Sequence, residues 1–451
     1  MAREFLPYDL DQQYLLPPSL RDWVPEGHLI WFVSDLVDSL DLSAILAACD
    51  KDETRGRAGY HPVMMTKLLI YAYAVGKPSS RKIERACWED VSFRVLAGDQ
   101  HPDHTSISEF RRRHLSALAG LFVGVLTVCR QAGLVKLGHV ALDGTKVKAN
   151  ASKHKAMSYG RMCSTEEELT RQVARLLEEA ERIDAAEDAR YGDARGDELP
   201  EELQRRESRL EKIREAKAAL EAEARTKAQA EAQAAKEHCE QRERKEAAAG
   251  KKFGGRPAVI CDPQAAKPEA KAQRNFTDPE SRIMKDGATG SFVAAYNAHA
   301  AVDEEAQVIV AASVTQQAND KQAFLPLLKR IESDLNALPD KVTADSGFFS
   351  ERNLSDPKLV GVTCYVPPER HVRKLPLAVA MREKLASKEG EAVYRRRKAI
   401  VEPVFGQIKE ARGFRRFSLR GLVAVDHEWQ LVCLTHNVLK LYRAQVRSIP
   451  A

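Results

Sequence analysis

The spacing of apolar residues predicts helices in the first third of the chain. Helix-length apolar spacing runs through PVMMTKLLIYAYAVG, SRKIERACWEDVSFRVLAG and FRRRHLSALAGLFVGVL. Ser106-x-x-Glu109, just before the last of these runs, has the form of a capping box. We therefore expect an N-terminal all-helical domain over residues 1–135.

A charged block over residues 164–249 carries a second helical stripe. The turn-like YGDARGDELP interrupts the stripe, so an inserted hairpin of two antiparallel helices is the simplest interpretation. A solvated coiled coil without chemistry and a hairpin that dimerises or clamps DNA both stay open. The apolar positions are Leu169, Val173, Leu176, Ala180, Ile183, Leu203, Leu210, Ile213 and Leu220.

Short β-patterned runs flank this block on both sides. GHVALDGTKVKAN predicts a strand that ends at Asp143, KVTAD predicts one that ends at Asp345, and VTCYVP supplies a last short strand. Between the first two, SFVAAYNAHAAVD and QVIVAASVTQQ predict a hairpin. Asn319 or Asp320 is then expected to cap the helix QAFLPLLKRIESDLNAL.

The order of these elements predicts the fold class. A closing segment over 391–443 is helical by pattern, although Pro403 and Gly406 interrupt it. The order is then strand, hairpin, helix, strand, helix, strand and helix, which favours an α/β protein with a ribonuclease-H-like mixed sheet flanked by helices. We expect this domain over residues 136–163 and 250–445.

Three carboxylates stand at matching places in this order: Asp143 and Asp345 at strand ends and Glu402 on a late helix. Acids placed in this way can converge and hold a pair of divalent metal ions over a phosphodiester. Each acid alone has a plainer interpretation, as a turn residue or a surface ion-pair partner. Asn297 and His299 alternate on one face of the strand beside Asp143 and could contact DNA or a metal-bound water.

Charge is distributed unevenly along the chain. The formal net charge is +5, yet residues 164–249 hold 17 Lys and Arg against 24 Asp and Glu. Residues 394–420 hold nine Lys and Arg against two Glu, which favours a polyphosphate partner, with a solvated basic face as the alternative. A basic run near a predicted helix start could likewise contact DNA or be solvated. It consists of Arg111, Arg112 and Arg113.

Cysteine and hydropathy patterns argue against several protein classes. The eight cysteines are scattered without a C-x-x-C pair, so they indicate neither a zinc site nor a disulfide framework, and a reducing cytoplasm is expected. MAREFLPYDL lacks a cleavable signal pattern, and no long uncharged apolar run occurs. We therefore expect neither secretion nor membrane insertion.

Four blocks of the sequence resemble, in order, the DDE transposases of bacterial insertion sequences. SRKIERACWEDVSFRVLAGDQHPDHTSISEFRRRH is similar to the InsH-like N-terminal domain of many of these enzymes. ALDGTKVKANAS, ADSGFFS and the stretch from Tyr394 through Glu402 to Lys409 resemble their three signature blocks. The resemblance covers most of the chain except residues 164–249.

One group of these enzymes carries a Y-x2-R-x3-E-x6-K signature around the third acid. Tyr394-x2-Arg397 and Glu402-x6-Lys409 fit it separately, but four residues separate Arg397 from Glu402, and Lys398 has the spacing of the arginine. On a helix Glu402 and Lys409 lie two turns apart on one face, so an acid and a phosphate-binding amine could act on one DNA strand. The insertion after the first strand is a second departure, since many relatives carry theirs just before the third acid.

The resemblance implies a metal-dependent enzyme that cuts DNA at the ends of a mobile element and joins the freed 3′-hydroxyl to target DNA. Asp143, Asp345 and Glu402 would be its catalytic acids and would hold Mg²⁺ or Mn²⁺, as two ions. Its partners would be double-stranded DNA, as terminal inverted repeats and target, and further copies of the chain in a homodimer or larger synaptic complex. It would act in the bacterial cytoplasm, in association with the nucleoid.

Two other functions stay open. A ribonuclease-H-like nuclease, or a domesticated relative of the transposases, would cleave DNA without strand transfer. A non-catalytic coiled-coil DNA-binding protein would use the hairpin over 164–249 and the basic patches. The second alternative would not need the three acids.

Overall fold

The structure is a computed structural model that describes residues 19–49, 59–191, 201–250, 262–287, 290–369, 372 and 375–448. The chain forms two compact units, of which unit 1 comprises residues 1–148 and 296–451 and unit 2 comprises residues 149–295. These units divide at other positions than 135, 163 and 249, so the proposed domain boundaries stay a prediction.

The described residues form the following helices and strands. The helices are α1 (Leu29–Ser39), α2 (Ser43–Cys49), α3 (Pro62–Ala74), α4 (Ser80–Glu89), α5 (Val91–Leu96), α6 (His104–Arg113), α7 (Leu115–Gln131), α8 (Tyr159–Tyr191), α9 (Glu201–Ala249), α10 (Phe324–Leu335), α11 (Glu351–Leu354), α12 (Pro376–Ala386), α13 (Lys388–Gly406) and α14 (Leu422–Ser448). The strands are β1 (His139–Lys148), β2 (Ala156–Ser158), β3 (Gln273–Asn275), β4 (Arg282–Lys285), β5 (Phe292–Asp303), β6 (Ile309–Thr315), β7 (Lys341–Thr343) and β8 (Thr363–Tyr365).

Helices α1 to α7 form the predicted helical N-terminal region. Asp103 caps α6 by accepting hydrogen bonds from the backbone N–H groups of Thr105 and Ser106. The predicted capping box at Ser106 was therefore wrong, because the helix already begins at His104. In the described part of the chain no single helix is long and apolar enough to span a membrane, and α6 and α7 pass that test only as a pair bent by 69°.

A mixed sheet with strand order β6-β5-β1-β7-β8 lies at the centre of unit 1. β1 pairs in parallel with β7, β7 pairs in parallel with β8, and β5 and β6 form an antiparallel hairpin. The first strand is central, which confirms the predicted ribonuclease-H-like sheet and its hairpin. β1 continues through Asp143 to Lys148, so the predicted strand end at Asp143 was wrong.

Helix α14 packs on the sheet and satisfies the backbone of the edge strand β6. Asn437 accepts from the N–H of Ile309 at 2.9 Å and donates to its carbonyl at 2.8 Å. Asp426 accepts from the N–H of Val314 at 2.8 Å. Unpaired backbone N–H and C=O groups on an edge strand can hydrogen-bond to a strand of another chain. The side chains of Asn437 and Asp426 occupy such groups of β6 and so protect it from this pairing.

Helix α13 runs through Pro403, so the predicted interruption there was wrong. Proline has no N–H and leaves the carbonyl of Ala399, four residues earlier, without its helical donor. The side-chain amide of Gln307 donates to this carbonyl at 2.9 Å and takes the place of the missing bond. After Gly406 the helix widens into a π-helical turn, Gln407–Ala411.

Unit 2 is built around α8 and α9, which confirms the predicted helical hairpin. The two helices are antiparallel, because Tyr159 at the start of α8 donates to Glu221 while Glu166, further along α8, pairs with Arg214 and Lys217 earlier on α9. Apolar side chains fill their interface. They are Met162, Leu169, Leu210, Ile213, Ala216 and Leu220.

Two short strand pairs complete unit 2. β2 pairs with β3 and β4 pairs with the first residues of β5, both in antiparallel fashion. Part of the predicted helical stripe cannot be followed further, because the turn over 192–200 lies outside the described residues. The side chains of Ala180, Ile183 and Leu203 lie outside them as well.

A buried hydrogen-bond network joins the N-terminal helices to α14. Glu428 is fully buried and accepts from the Tyr73 hydroxyl at 3.1 Å and from the backbone N–H groups of Ser418 and Leu419. Burial, followed by the charge of Glu428, raises the pKa of Tyr73. Arg111 is 4% exposed and donates to the Tyr73 hydroxyl at 3.2 Å. Buried charges are tolerated when they are paired and hydrogen-bonded in this way.

We expect Glu428→Ala to lower the free energy of unfolding by about 2–4 kcal/mol, because it leaves buried donors without an acceptor. Urea denaturation would measure the change. Glu383→Ala, at an exposed position on α12, serves as the control and should change the free energy by less than about 0.5 kcal/mol. Equal effects of the two substitutions would contradict a stabilising role for the network.

Candidate active site

Asp143 lies on β1, and Asp345 lies at the same level just after the end of the neighbouring parallel strand β7. The predicted strand end at Asp345 was therefore wrong, because β7 ends at Thr343. The pairing of β1 with β7 sets Ala141 beside Thr343, and each aspartate follows two residues later. Asp345 caps a short 3₁₀ turn by accepting from the N–H of Gly347 at 2.9 Å. The parallel register therefore brings together two acids that are 202 positions apart in the sequence.

The two carboxylates share a buried environment that disfavours their charges. Burial raises the pKa of Asp143 to about 6, while Arg397 and the Gly144 N–H act in the opposite direction and the charges of Asp345 and Asp320 raise it further. Burial, followed by the charge of Asp320, also raises the pKa of Asp345. The pair thus needs nearby positive charge to be ionised together.

Asp320 is a third acid of this site, which the sequence analysis assigned to a helix cap. That assignment was wrong, because the Asp320 side chain makes no capping hydrogen bond and α10 begins at Phe324. One carboxylate oxygen instead lies 2.6 Å from Asn297 Nδ2 and 2.9 Å from His299 Nε2. Burial raises the pKa of Asp320, but the hydrogen bonds from His299 and Asn297 outweigh burial, so the net shift is downward.

Asn297 and His299 lie on β5 and are fully buried. Their predicted placement on one strand beside the first acid is observed, and both side chains reach Asp320 rather than solvent. The indole of Trp429 donates to the His299 carbonyl at 2.9 Å and holds this part of the strand. Asn297 Oδ1 and His299 Nδ1 are buried without a hydrogen-bond partner among the described residues.

Gly144 permits the close approach of these side chains. A Cβ atom at this position would lie 2.6 Å from Asp320 Oδ1 and 2.9 Å from His299 Cδ2. Real Cβ contacts are essentially never that short. The glycine after Asp143 is thus required by packing within a continuous strand, and not by a turn.

Two cations stand beside the acids. Arg397 Nη1 lies 3.3 Å from Asp143 Oδ2, and the Lys146 ammonium donates to the Ala318 carbonyl at 2.8 Å and lies 3.9 Å from Asp320 Oδ1. Burial lowers the pKa of Lys146, and the neighbouring acids oppose this shift. Lys146 was not predicted as a site residue, although it belongs to the same DGTKVK block as Asp143.

The structure brings Arg397, and not Lys398, to the acids. Arg397 is 8% exposed and its guanidinium lies 5.9 Å from the centre of the Tyr394 ring, whereas Lys398 is exposed. Ile400, Val401 and Val404 form the buried face of α13. Arg397 precedes Ile400 and Val401 by three and four residues and so belongs to that face.

Glu402 lies on the exposed side of α13. It is five residues from Arg397, which corresponds to a rotation of about 140° around the helix. No ion pair or hydrogen bond joins Glu402 to either aspartate among the described residues. Lys409 donates to the carbonyl of Lys146 at 2.8 Å from the π-helical turn, where the α-helical spacing assumed for Glu402 and Lys409 no longer applies.

The arginine run in the N-terminal region is divided between the interior and the surface. Arg111 is buried and also donates to the carbonyl of Pro78 at 2.7 Å, so its guanidinium is engaged within the fold. Arg113 donates to the Ala48 carbonyl at 3.0 Å. Arg112 is exposed, 3.8 Å from Glu109, and is the member of the run most open to a partner.

The donor set is of the type that a hard divalent cation prefers. Asp143, Asp345 and Asp320 supply carboxylate oxygens whose negative charges repel one another. Asn297 Oδ1 is a buried acceptor that receives no hydrogen bond from the described residues. Among the described residues, however, no group of three or more His, Cys, Asp or Glu side chains is close enough to hold a metal ion. The described residues therefore gather hard oxygen donors near one another without forming a metal site.

We expect Asp143→Asn to stabilise the metal-free protein at pH 7 by about 1–3 kcal/mol. In the folded protein the pKa of Asp143 is raised from the usual aspartate value of 3.8 to about 6, so the stability gained from its protonated form is fully present below pH 3.8 and is lost as the pH rises through about 6. Thermal unfolding at pH 7 and pH 4 would measure this. The increase in stability should be absent at pH 4. An Asp143→Asn variant that is less stable than the wild type at pH 7 would contradict the predicted stabilisation.

Gly144→Ala should destabilise the protein by about 1–3 kcal/mol, because the added methyl group displaces Asp320 and His299. Chemical denaturation would measure the loss. Gly138→Ala is the matched control just before β1, since a Cβ there meets no atom within 4 Å. A Gly144→Ala variant as stable as this control would contradict the close packing around Gly144.

Comparison with known protein families gives two matches. Residues 18–113 match the model of a transposase domain (DUF772), and residues 226–438 match the model of a transposase DDE domain. The second match includes Asp345 and Glu402, whereas Asp143 lies in the stretch between the two matches. No curated protein and no solved structure significantly matches the chain.

The matches agree with the geometry of unit 1. The DDE match spans the strands from β5 to β8 and helix α13. It includes Asp320, Asp345 and Arg397, three of the four charged groups described around Asp143, whereas Lys146 lies before it. Enzymes of this family depend on a divalent metal ion and act on DNA. The order of the two matched domains and the ribonuclease-H-like sheet together show that the chain belongs to the DDE transposases of insertion sequences, and is a DNA transposase.

Proposed function

We propose that Asp143, Asp345 and Glu402 are the catalytic acids of this transposase and that they hold two Mg²⁺ ions, which Mn²⁺ can replace. The observation that carries this proposal is that Asp143 on β1 and Asp345 just after the parallel strand β7 lie at the same level, each with a pKa raised by burial. Two such carboxylates repel each other unless a cation lies between them. Bound ions would supply activation of a water or 3′-hydroxyl and stabilisation of the leaving oxygen.

Glu402 enters this set through its position on α13. The same helix carries Arg397, which contacts Asp143, so α13 lies beside the aspartates. The proposal requires α13 to turn Glu402 toward them when metal or DNA binds. The match to the DDE family includes Glu402. The hydrogen-bonded Asn297, His299 and Asp320 would keep β5 and the loop after β6 fixed beside the acids.

Basic side chains of α13 and the π-helical turn are proposed to bind the DNA backbone. Arg397 would exchange its contact with Asp143 for a phosphate once a cation neutralises that aspartate. The Tyr394 ring lies beside the Arg397 guanidinium, 5.9 Å from it. Lys398 is exposed on the same helix. Lys409 is the fourth member of this group, and Arg112 is proposed to contact DNA from the N-terminal region.

The substrates are proposed to be the terminal inverted repeats of the element and a target duplex. Two ends must be held together before they are joined, so we propose a homodimer or larger assembly as the active form. The DNA of the bacterial nucleoid would be the substrate in the cell, which places the reaction in the cytoplasm. A ribonuclease-H-like nuclease without strand transfer is the second candidate, since the same acids would serve both reactions.

Asp143→Asn, Asp345→Asn and Glu402→Gln should each lower Mg²⁺-dependent cleavage of DNA that carries the ends of the element by about a hundredfold or more. Gel-based cleavage and joining assays would measure both reactions on one substrate. Each variant should still bind the DNA without metal, because an amide replaces a like-sized acid.

Glu391→Gln is the matched control on α13, at an exposed position in its first turn. It should cleave and join DNA as the wild type does. Full activity of any of the three variants would remove that residue from the catalytic set. Cleavage by the wild type without joined product would favour the nuclease.

A further inference from the structure

A basic groove lies within unit 2, whereas the acids described above belong to unit 1. It has a volume of about 920 Å³ and opens between the first turns of α9 and the segments around β2 and β3. Its floor is apolar and is formed by Met157, Ile213 and Phe276. The remaining lining residues are His154, Lys155, Arg205, Ser208, Arg209, Lys212 and Thr277.

The charge of this groove is opposite to that of the hairpin segment that supplies half of its lining residues. Four of the ten lining residues are Lys or Arg and none is Asp or Glu. Residues 164–249 as a whole hold 24 Asp and Glu against 17 Lys and Arg. If the charges of this acidic hairpin were distributed at random, carboxylates would also line a groove of this size. The groove instead contains only basic charges, which indicates an anionic partner.

Helical spacing explains how the cations come together. Arg205, Arg209 and Lys212 are separated by four and three residues, which places them on one face of α9. The neighbouring Glu207 and Glu211 do not line the groove. The three positions span about 10 Å along the helix, a length that covers roughly three phosphates of one DNA strand.

The groove cations differ from other basic residues of the same hairpin. Arg214 and Lys217 both pair with Glu166 and so contribute to the contact between α8 and α9. Arg209 and Lys212 are exposed and form no ion pair within the described part of the chain. Their charges remain available for a partner, whereas those of the paired residues are already compensated.

We propose that this groove binds the phosphate backbone of duplex DNA, with Lys155, Arg209 and Lys212 as its main contacts. This inference rests on the proposed function, because it assigns to the inserted hairpin a part in holding the DNA that the acids cleave. A single phosphate or a nucleotide would leave most of a groove of about 920 Å³ unfilled. An extended polyanion can instead engage the row of cations along α9.

The test compares two double variants of the full-length protein. Arg209→Ala/Lys212→Ala removes two groove charges, and Arg225→Ala/Lys236→Ala removes two exposed charges elsewhere on α9. Fluorescence anisotropy would measure binding to a duplex that spans one end of the element, and to a scrambled duplex of equal length. Both are titrated in EDTA over a series of salt concentrations, and circular dichroism confirms that each variant is folded.

We expect the groove variant to bind both duplexes about tenfold or more weakly and its salt dependence to fall by about two ion equivalents, whereas the control changes little. Equal binding by the two variants would overturn the proposal. A groove variant that binds DNA normally but loses self-association would overturn it as well, and would assign the groove to the acidic hairpin of a second copy.

A cleavage assay with Mg²⁺ distinguishes failure of the groove assignment from failure of the catalytic assignment. Wild-type protein that binds DNA but does not cleave it would contradict the catalytic assignment, while the binding comparison would still decide the role of the groove. Wild-type cleavage together with equal DNA binding by both variants would contradict the groove alone.

Discussion

The burial of Asp143 beside two other acids is the constraint on which the site depends. An aspartate with a pKa of about 6 is held in a place that disfavours its charge, and the surrounding fold must compensate for that cost. Arg397 and Lys146 offset part of it, and His299 with Asn297 keeps Asp320 ionised. These features have a common explanation if the site is shaped for a cation, because a preorganised cluster of acids binds metal at the expense of stability in its absence.

Helix α14 supports this arrangement through its contacts with β5 and β6. Its Trp429 fixes the carbonyl of His299, and its Asn437 and Asp426 complete the backbone hydrogen bonds of β6. The same helix carries Glu428, which anchors the N-terminal helices. A single buried element therefore couples the position of the strand beside the acids to the packing of the helical region, so the geometry around the acids also depends on α14.

Sequence patterns predicted the main strands and helices of the site but not the direction in which its side chains point. Local alternation predicts β1, which carries Asp143, β7, which ends just before Asp345, and the hairpin that carries His299. Parallel pairing of β1 with β7 then brings the two acids together. Asp320 could not be assigned, because a loop residue before a helix has the same local signature whether it caps the helix or turns toward a strand. The choice between Arg397 and Lys398 depended on which face of α13 is buried, and Ile400, Val401 and Val404 contained that information.

The fold tolerates the insertion between the acids because hydrogen bonds within unit 1 hold β1 up to its last residue, just before unit 2 begins. Lys148, the last residue of β1, donates to the Arg415 carbonyl and accepts from the Phe417 N–H, so the strand is held at its end by a distant part of unit 1. Unit 2 then accounts for 147 of the 202 positions that separate Asp143 from Asp345. Loop closure costs only about 0.6 kcal/mol for each doubling of loop length, and a compact insert costs less than a flexible one. A long insertion can therefore acquire its own surface, such as the basic groove, without disturbing the register that aligns the two aspartates.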